Sequence, residues 1–310
     1  MSASRSRSEQ NAEATRRVTM LSVATALTLV TIKFVIWLAS GSVALMASLA
    51  DSGLDLVASS ATFFAVRYAA APPDAEHRFG HGKAEAFASL MQAGLVFGSA
   101  ALIGEEAIRR ILTPKPVAEE GWALAVMALS IVMTAGLLLA QTRVLRRADS
   151  VAVSADRAHY AADLASNGVA LVGIAAASIL GLPTLDAVAA LVVTGVLLWG
   201  AITVFREASD QLLDRELPNS ARARIVDLVL EDRSVFDVHQ MRTRASGPIT
   251  HIQMHADLDP DLSLEAAHEI VVAAEKRILA HFPSADIIIH PDPRGRAEPH
   301  GGAFAETFEA

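Results

Sequence analysis

Ser42-Val-Ala-Leu-Met-Ala-Ser-Leu-Ala-Asp-Ser-Gly-Leu-Asp-Leu-Val57 is an apolar run that carries two acids, Asp51 and Asp55, four residues apart. A second apolar run, Val151 to Leu180, carries His159 and Asp163 at the same spacing. Residues i and i+4 share one face of a helix, about 6 Å apart along its axis, so each pair can aim two ligand atoms at one point. A carboxylate at mid-bilayer costs ~2.5–3.5 kcal/mol on insertion scales, and three together cost roughly 8–10 kcal/mol. Such a penalty calls for a partner that takes up the charge, and a divalent metal fits. Asp51, Asp55, His159 and Asp163 offer four N/O ligands, the number that tetrahedral zinc prefers. The alternative is a buried acid–His network that only holds helices together.

Working outward, six apolar stretches are long enough to span a bilayer: 18–39, 43–70, 86–111, 121–144, 151–180 and 185–206. The chain of 310 residues is 52% hydrophobic with a mean hydropathy of +0.38, beyond an ordinary soluble domain. Cysteine is absent, which excludes disulfides, thiolate metal sites and thiol nucleophiles, so any metal must be held by His and carboxylates. The net charge of −8 argues against a nucleic-acid partner. Met1 to Arg17 is polar and Arg-bearing, lacks the apolar core of a cleaved signal peptide, and reads as a tail.

The connectors at 40–42 and 181–183 carry no Lys or Arg. The tail holds Arg5, Arg7, Arg16 and Arg17, the second-to-third connector Arg67, Arg78 and Lys83, and the fourth-to-fifth Arg143, Arg146 and Arg147. The positive-inside rule then predicts that both termini are cytoplasmic. Arg109, Arg110 and Lys115 fall on the predicted outer side, offset in part by Glu105, Glu106, Glu119 and Glu120. In this topology Asp51 and Asp55 stand roughly 8–12 residues inside one end of the second helix, and His159 and Asp163 the same depth inside the opposite end of the fifth. At 1.5 Å rise per residue both pairs reach the midplane.

After Arg206 the pattern becomes that of a small α+β domain. Asn219-Ser220 caps a helix over 221–232, and strands are expected over 235–245 and 249–259, joined at Ser246-Gly247-Pro248. In the second strand Ile252, Met254, Ala256 and Leu258 alternate with His251, Gln253, His255 and Asp257, the period of a half-buried strand. An amphipathic helix over 263–282 and a strand at Ile287-Ile288-Ile289 complete the order αββαβ, a ferredoxin-like arrangement. The expected division is a cytoplasmic tail (1–17), a six-helix transmembrane domain (18–207), a cytoplasmic domain (208–292) and a disordered tail (293–310).

A loop constellation, Asp74, His77 and His81, follows Pro72-Pro73, which ends the preceding helix. The three are near enough in sequence to share an ion, and a plain solvated loop is the alternative.

Asp51-Ser-Gly-Leu-Asp55, His77-Arg-Phe-Gly-His81-Gly-Lys83-Ala-Glu85 and His159-Tyr-Ala-Ala-Asp163 together resemble the signature segments of the cation diffusion facilitator family, most of all its bacterial zinc and ferrous-iron efflux branch. The resemblance covers nearly the whole chain. It implies a homodimeric exporter of divalent metal from the cytoplasm across the bacterial inner membrane, in exchange for protons. Asp51, Asp55, His159 and Asp163 are then the transport ligands, and Asp74, His77 and His81 the loop metal site. His239, His255, His268, His290 and Asp292 are a cytoplasmic two-metal site bridged by the Asp, and Lys83 pairs with Asp214. The His in the fifth helix resembles the zinc/cadmium pattern more than the manganese one. His251 and His255 lie four strand residues apart, ~13 Å, and cannot share an ion. His251, His281 and His300 are accordingly read as surface histidines. The implied cargo is zinc, with cadmium, ferrous iron and manganese as alternatives. A membrane-anchored metal sensor or buffer without transport is the second reading. An enzyme is disfavoured, since neither H-E-x-x-H nor a nucleophile elbow is present.

Overall fold

A computed structural model of the chain describes residues 2–40, 43–113, 121–148, 150–180 and 184–295. Asn11–Asp210 makes one compact unit, and Met1–Gln10 groups with Gln211–Ala310 as the other.

The first unit is built on six long helices, α1 (Ser2–Ser40), α2 (Val43–Ala69), α3 (Ala84–Leu112), α4 (Gly121–Leu145), α5 (Val151–Leu180) and α6 (Thr184–Leu212). α1 starts at Ser2, so the polar segment before the first apolar stretch is helical as well. Ala and Glu there are good helix formers, and Arg17 pairs with Glu13 one turn away. Among the described residues, five of these helices are long and apolar enough to cross a membrane. Small side chains let the helices approach closely: Ala100, Ala162 and Ala201 pack with Val96 and Leu197, and Ala93 and Ala155 with Val204. Large apolar side chains such as Phe64, Leu102, Val132 and Trp199 face outward, as lipid requires. Arg109 is tied to Glu105 at 2.8 Å.

In the second unit α7 (Asn219–Leu230) precedes a hairpin, β1 (Asp237–Ser246) and β2 (Ile249–Leu258); α8 (Leu264–His281) then leads to β3 (Ala285–Pro293). The sheet order is β1-β2-β3, with β1 antiparallel and β3 parallel to β2. The order αββαβ is as expected, and β3 is longer than its three isoleucines, because Pro291 and Pro293 sit on an edge strand that tolerates them. Ile252, Met254, Ala256 and Leu258 are all buried, packed with Ile225, Leu228 and Val229 of α7 and Ala274 and Ile278 of α8. The helices thus cover one face of the sheet, and His255, Asp257, His290 and Asp292 alternate onto the other.

Candidate functional site

Strand pairing alone assembles the cytoplasmic cluster. His239 is opposite His255 across β1–β2, and His255 is opposite His290 across β2–β3, so three imidazoles form one row. One row along, Asp257 is opposite both Asp237 and Asp292. The register of β1 slips between His239 and Arg242, where Gln240 adopts φ +49. A bulge of this kind re-aims a side chain, here His239. Asp292, buried at 7% exposure, gathers the row: its Oδ2 lies 2.8 Å from His255 Nδ1 and 3.3 Å from His239 Nε2, and its Oδ1 lies 3.3 Å from His290 Nε2. One carboxylate thus turns each oxygen to different imidazoles, a geometry able to bridge two ions. The far side of the His239 ring, Nδ1, lies 3.9 Å from both Asp237 and Asp257. Carboxylates behind a ligating His fix its orientation, and these two were missed in the sequence. His268 stands exposed on α8, and this chain does not bring it to the row.

His251 is a correction. It is buried, with Nδ1 3.1 Å from Asp286 Oδ2, because its strand neighbour on β3 is that acid. His281 is exposed and meets Arg224 at 3.0 Å. His300 lies outside the described residues.

In the loop, Asp74 Oδ1 accepts the backbone N–H of His77 at 2.6 Å and of Glu76 at 2.9 Å. The His77 N–H bond is the largest cause holding the Asp74 carboxyl below its ordinary value, with the Glu76 N–H bond adding to it. The folded turn places His77 Nδ1 3.3 Å from Asp74 Oδ1 and His81 Nε2 3.2 Å from Asp74 Oδ2. The His81 ring is buried, tilted against Tyr68 with ring centres 4.3 Å apart, and neither of its nitrogens makes a hydrogen bond among the described residues. A buried imidazole turned to a carboxylate without bonding it is arranged as a metal ligand is.

Between α2 and α5, His159 Nε2 stands 3.0 Å from Asp55 Oδ1 and 3.7 Å from Asp163 Oδ2. Asp163 Oδ2 and His159 Nδ1 are buried without hydrogen-bond partners. Asp55, His159 and Asp163 can therefore offer three ligand atoms to one point. Asp51, one turn along α2, is exposed and stands outside that trio. The helical spacing predicts all four at one site; the structure brings three of them together and leaves Asp51 at the edge.

Two polar groups beside the trio were missed. Lys33 of α1 is buried and bonds Ser52 Oγ at 2.6 Å and Ser48 O at 3.2 Å. Asp156, one turn before His159, is fully buried; its Oδ1 accepts from Gln92 of α3 at 3.1 Å and Ser59 of α2 at 3.3 Å, and its Oδ2 from Gln141 of α4 at 2.8 Å. Gln141 also donates to Ser22 of α1 at 3.2 Å, and Ser59 meets Tyr160 at 2.8 Å. Lys33 is visible as a lone ionisable residue in an apolar run, the signal by which it could have been found, and Asp156 as an acid one turn before His159 on the same helix. Asp214 holds Arg244 at 3.2 Å inside its own unit. Lys83 immediately precedes α3 in the other unit, and its pairing with Asp214 rests on the resemblance alone.

Residues 19–213 match the family model for the cation efflux transmembrane domain, and residues 217–294 that for the cytoplasmic domain of cation efflux proteins. The chain is 41% identical over 272 residues to the cation-efflux pump FieF of Shewanella oneidensis, covering 88% of this chain and 92% of that protein. It is 38% identical to FieF of Salmonella arizonae, over 89% and 92% of the two chains. Among solved structures, the metal-bound C-terminal domain of the CzcD transporter from Thermotoga maritima is 26% identical, spanning 26% of this chain and 100% of that one with a TM-score of 0.25.

Proposed function

Because the chain belongs to the cation diffusion facilitator family, whose members are cation efflux transporters, we propose that its cargo is zinc, exported in exchange for protons by a homodimer with cytoplasmic termini. Cadmium and ferrous iron are accommodated by the same donors. The observation that carries this reading is the convergence of Asp55, His159 and Asp163 between α2 and α5, with one buried Asp163 oxygen that has no hydrogen-bond partner among the described residues. A borderline-soft nitrogen beside hard carboxylate oxygens favours zinc over manganese.

Competition supplies the mechanism. Carboxylates and a neutral imidazole bind a divalent ion only when deprotonated, so metal and protons exclude each other at the trio. Facing the cytoplasm the site trades protons for metal, and facing a more acidic outside it trades back. Asp51, at the edge of the trio, completes the ligand set as the helices close on the ion. The row around Asp292 binds the same metal on the cytoplasmic side, where it senses cargo beside transport rather than in place of it. The loop trio around Asp74 is a further metal site at the end of α2. The inner membrane of a bacterium is the setting that the positive-inside pattern and these relatives support.

Metal-resolved uptake into inverted vesicles tests the reading. Zinc should accumulate against its gradient when the lumen is acidic, and should do so faster than manganese. Equal uptake with and without a pH gradient overturns the exchange, and manganese preference overturns the cargo.

A further inference from the structure

We propose that Lys33 is the resident counter-cation of the transport site, a fixed positive charge that offsets the carboxylates and keeps the bound ion releasable. This rests on reading Asp51, Asp55, His159 and Asp163 as the transport ligands.

Lys33 is 6% exposed, within a candidate span, Gln10–Ala39, of mean hydropathy 2.0. A lysine at such a place is costly, and most escape by reaching for the interface. This one turns inward. Its ammonium donates to Ser52 Oγ at 2.6 Å and to the Ser48 carbonyl at 3.2 Å, on the stretch of α2 that leads into Asp55. Neither acceptor carries a charge, so these bonds position the ammonium without neutralising it.

Ser48, Ser52 and Asp55 follow at helical spacing on one face of α2, and Asp51 adjoins Ser52, so the two bonds hold the ammonium beside the acids of the site. Yet among the described residues Lys33 makes no direct ion pair. Its bonds go to the two serines instead. A lysine in direct contact would occupy the lone pairs that the metal needs, whereas one tethered nearby lends its charge and leaves those oxygens open. At a low effective dielectric such a charge acts over several ångströms.

The count of charges gives the tether its purpose. Three aspartates, one lysine and one divalent ion add to zero while His159 is neutral. A further acid nearby, the buried Asp156, is taken up by its own donors Gln92, Gln141 and Ser59. A loaded site without net charge is the cheapest form to carry through a medium that penalises charge. Without Lys33 the same site holds its ion more tightly and carries a net negative charge.

The test compares Lys33→Met, Lys33→Gln and Lys33→Arg in the purified full-length protein. Zinc affinity is read by competition with a chelating fluorophore, as the component of binding that Asp55→Asn removes. Loss of the positive charge should lower Kd on the order of tenfold in both neutral variants. In vesicles the same variants should show lower KM and lower maximal rate, since release slows. Lys33→Arg should stay near wild type. A merely structural lysine predicts the opposite sign, because a disordered ligand set binds more weakly. Unchanged or weaker binding in either neutral variant, eluting as a folded protein, overturns the inference. If Asp55→Asn removes no component of binding, the ligand assignment itself falls.

Discussion

Asp55 Oδ1 on α2 and His159 Nε2 on α5 stand 3.0 Å apart, although 104 positions separate them in the chain. That contact joins the two i,i+4 pairs into one site. Asp55→Ala or Asp163→Ala should therefore cut zinc flux more than about a hundredfold, since even outer-shell changes cost 10–100-fold. Asp51→Ala should also abolish transport if Asp51 joins the ion in the closed state. Vesicle flux beside size-exclusion profiles checks this, and wild-type flux in a folded Asp55→Ala protein would refute the assignment.

His159→Asp exchanges the one nitrogen donor for a hard oxygen. Discrimination should loosen toward manganese by roughly tenfold or more, because imidazole suits zinc and carboxylates suit manganese. The zinc-to-manganese flux ratio measures it. An unchanged ratio would show that site geometry, not donor type, sets preference.

Asp292 touches three imidazoles, so its removal should unmake the whole cytoplasmic row. Asp292→Ala should lower the metal bound per protomer by one or two ions, counted by elemental analysis. Transport at saturating metal should fall yet persist, because the trio between α2 and α5 is untouched. Complete loss of flux in a folded variant would end the division between transport and regulation.

Asp74 has a depressed carboxyl, so its charged form favours the folded turn. That contribution is present above the ordinary aspartate range and is lost only as pH falls through the lowered folded value. The His77 amide resonance, read in protein labelled at histidine, should thus keep its folded position through pH 4 and shift below it. A shift centred at the ordinary aspartate value of about 3.9 or above would contradict the hydrogen-bonded turn.

Asp156→Ala strips acceptors from Gln92, Gln141 and Ser59 at once. Each unsatisfied buried group costs ~1–3 kcal/mol, so a marked fall in thermal midpoint is expected. Differential scanning fluorimetry in detergent reads it; a midpoint within a degree of wild type would mean the donors find water instead.

Periodicity shows what it can show. The i,i+4 spacing of Asp51, Asp55, His159 and Asp163 is a property of one helix at a time, and so is the alternation of Ile252, Met254, Ala256 and Leu258; both are legible without a partner. The row His239–His255–His290 depends on register between strands, and on a bulge at Gln240 that no propensity announces. His251 was misjudged for the same reason, since Asp286 meets it only across β2–β3. Lys33 is visible as an isolated charge and Asp156 as one acid in a charged turn, but their partners lie on other helices. The early start of α1 escaped notice because apolar content, not helix propensity, was used to mark its beginning.

The bonds around Asp156 have a mechanical consequence. Ser22, Ser59, Gln92, Gln141 and Asp156 stand on α1, α2, α3, α4 and α5, and they are laced through one carboxylate and two amides. None of them is on α6. Sliding any of the five past its neighbours at that depth strands a donor where lipid offers no substitute. Around this knot the five helices are geared as one stiff body, so a change of access that respects it bends them above or below the knot, as a bundle of rods flexes on either side of its tie.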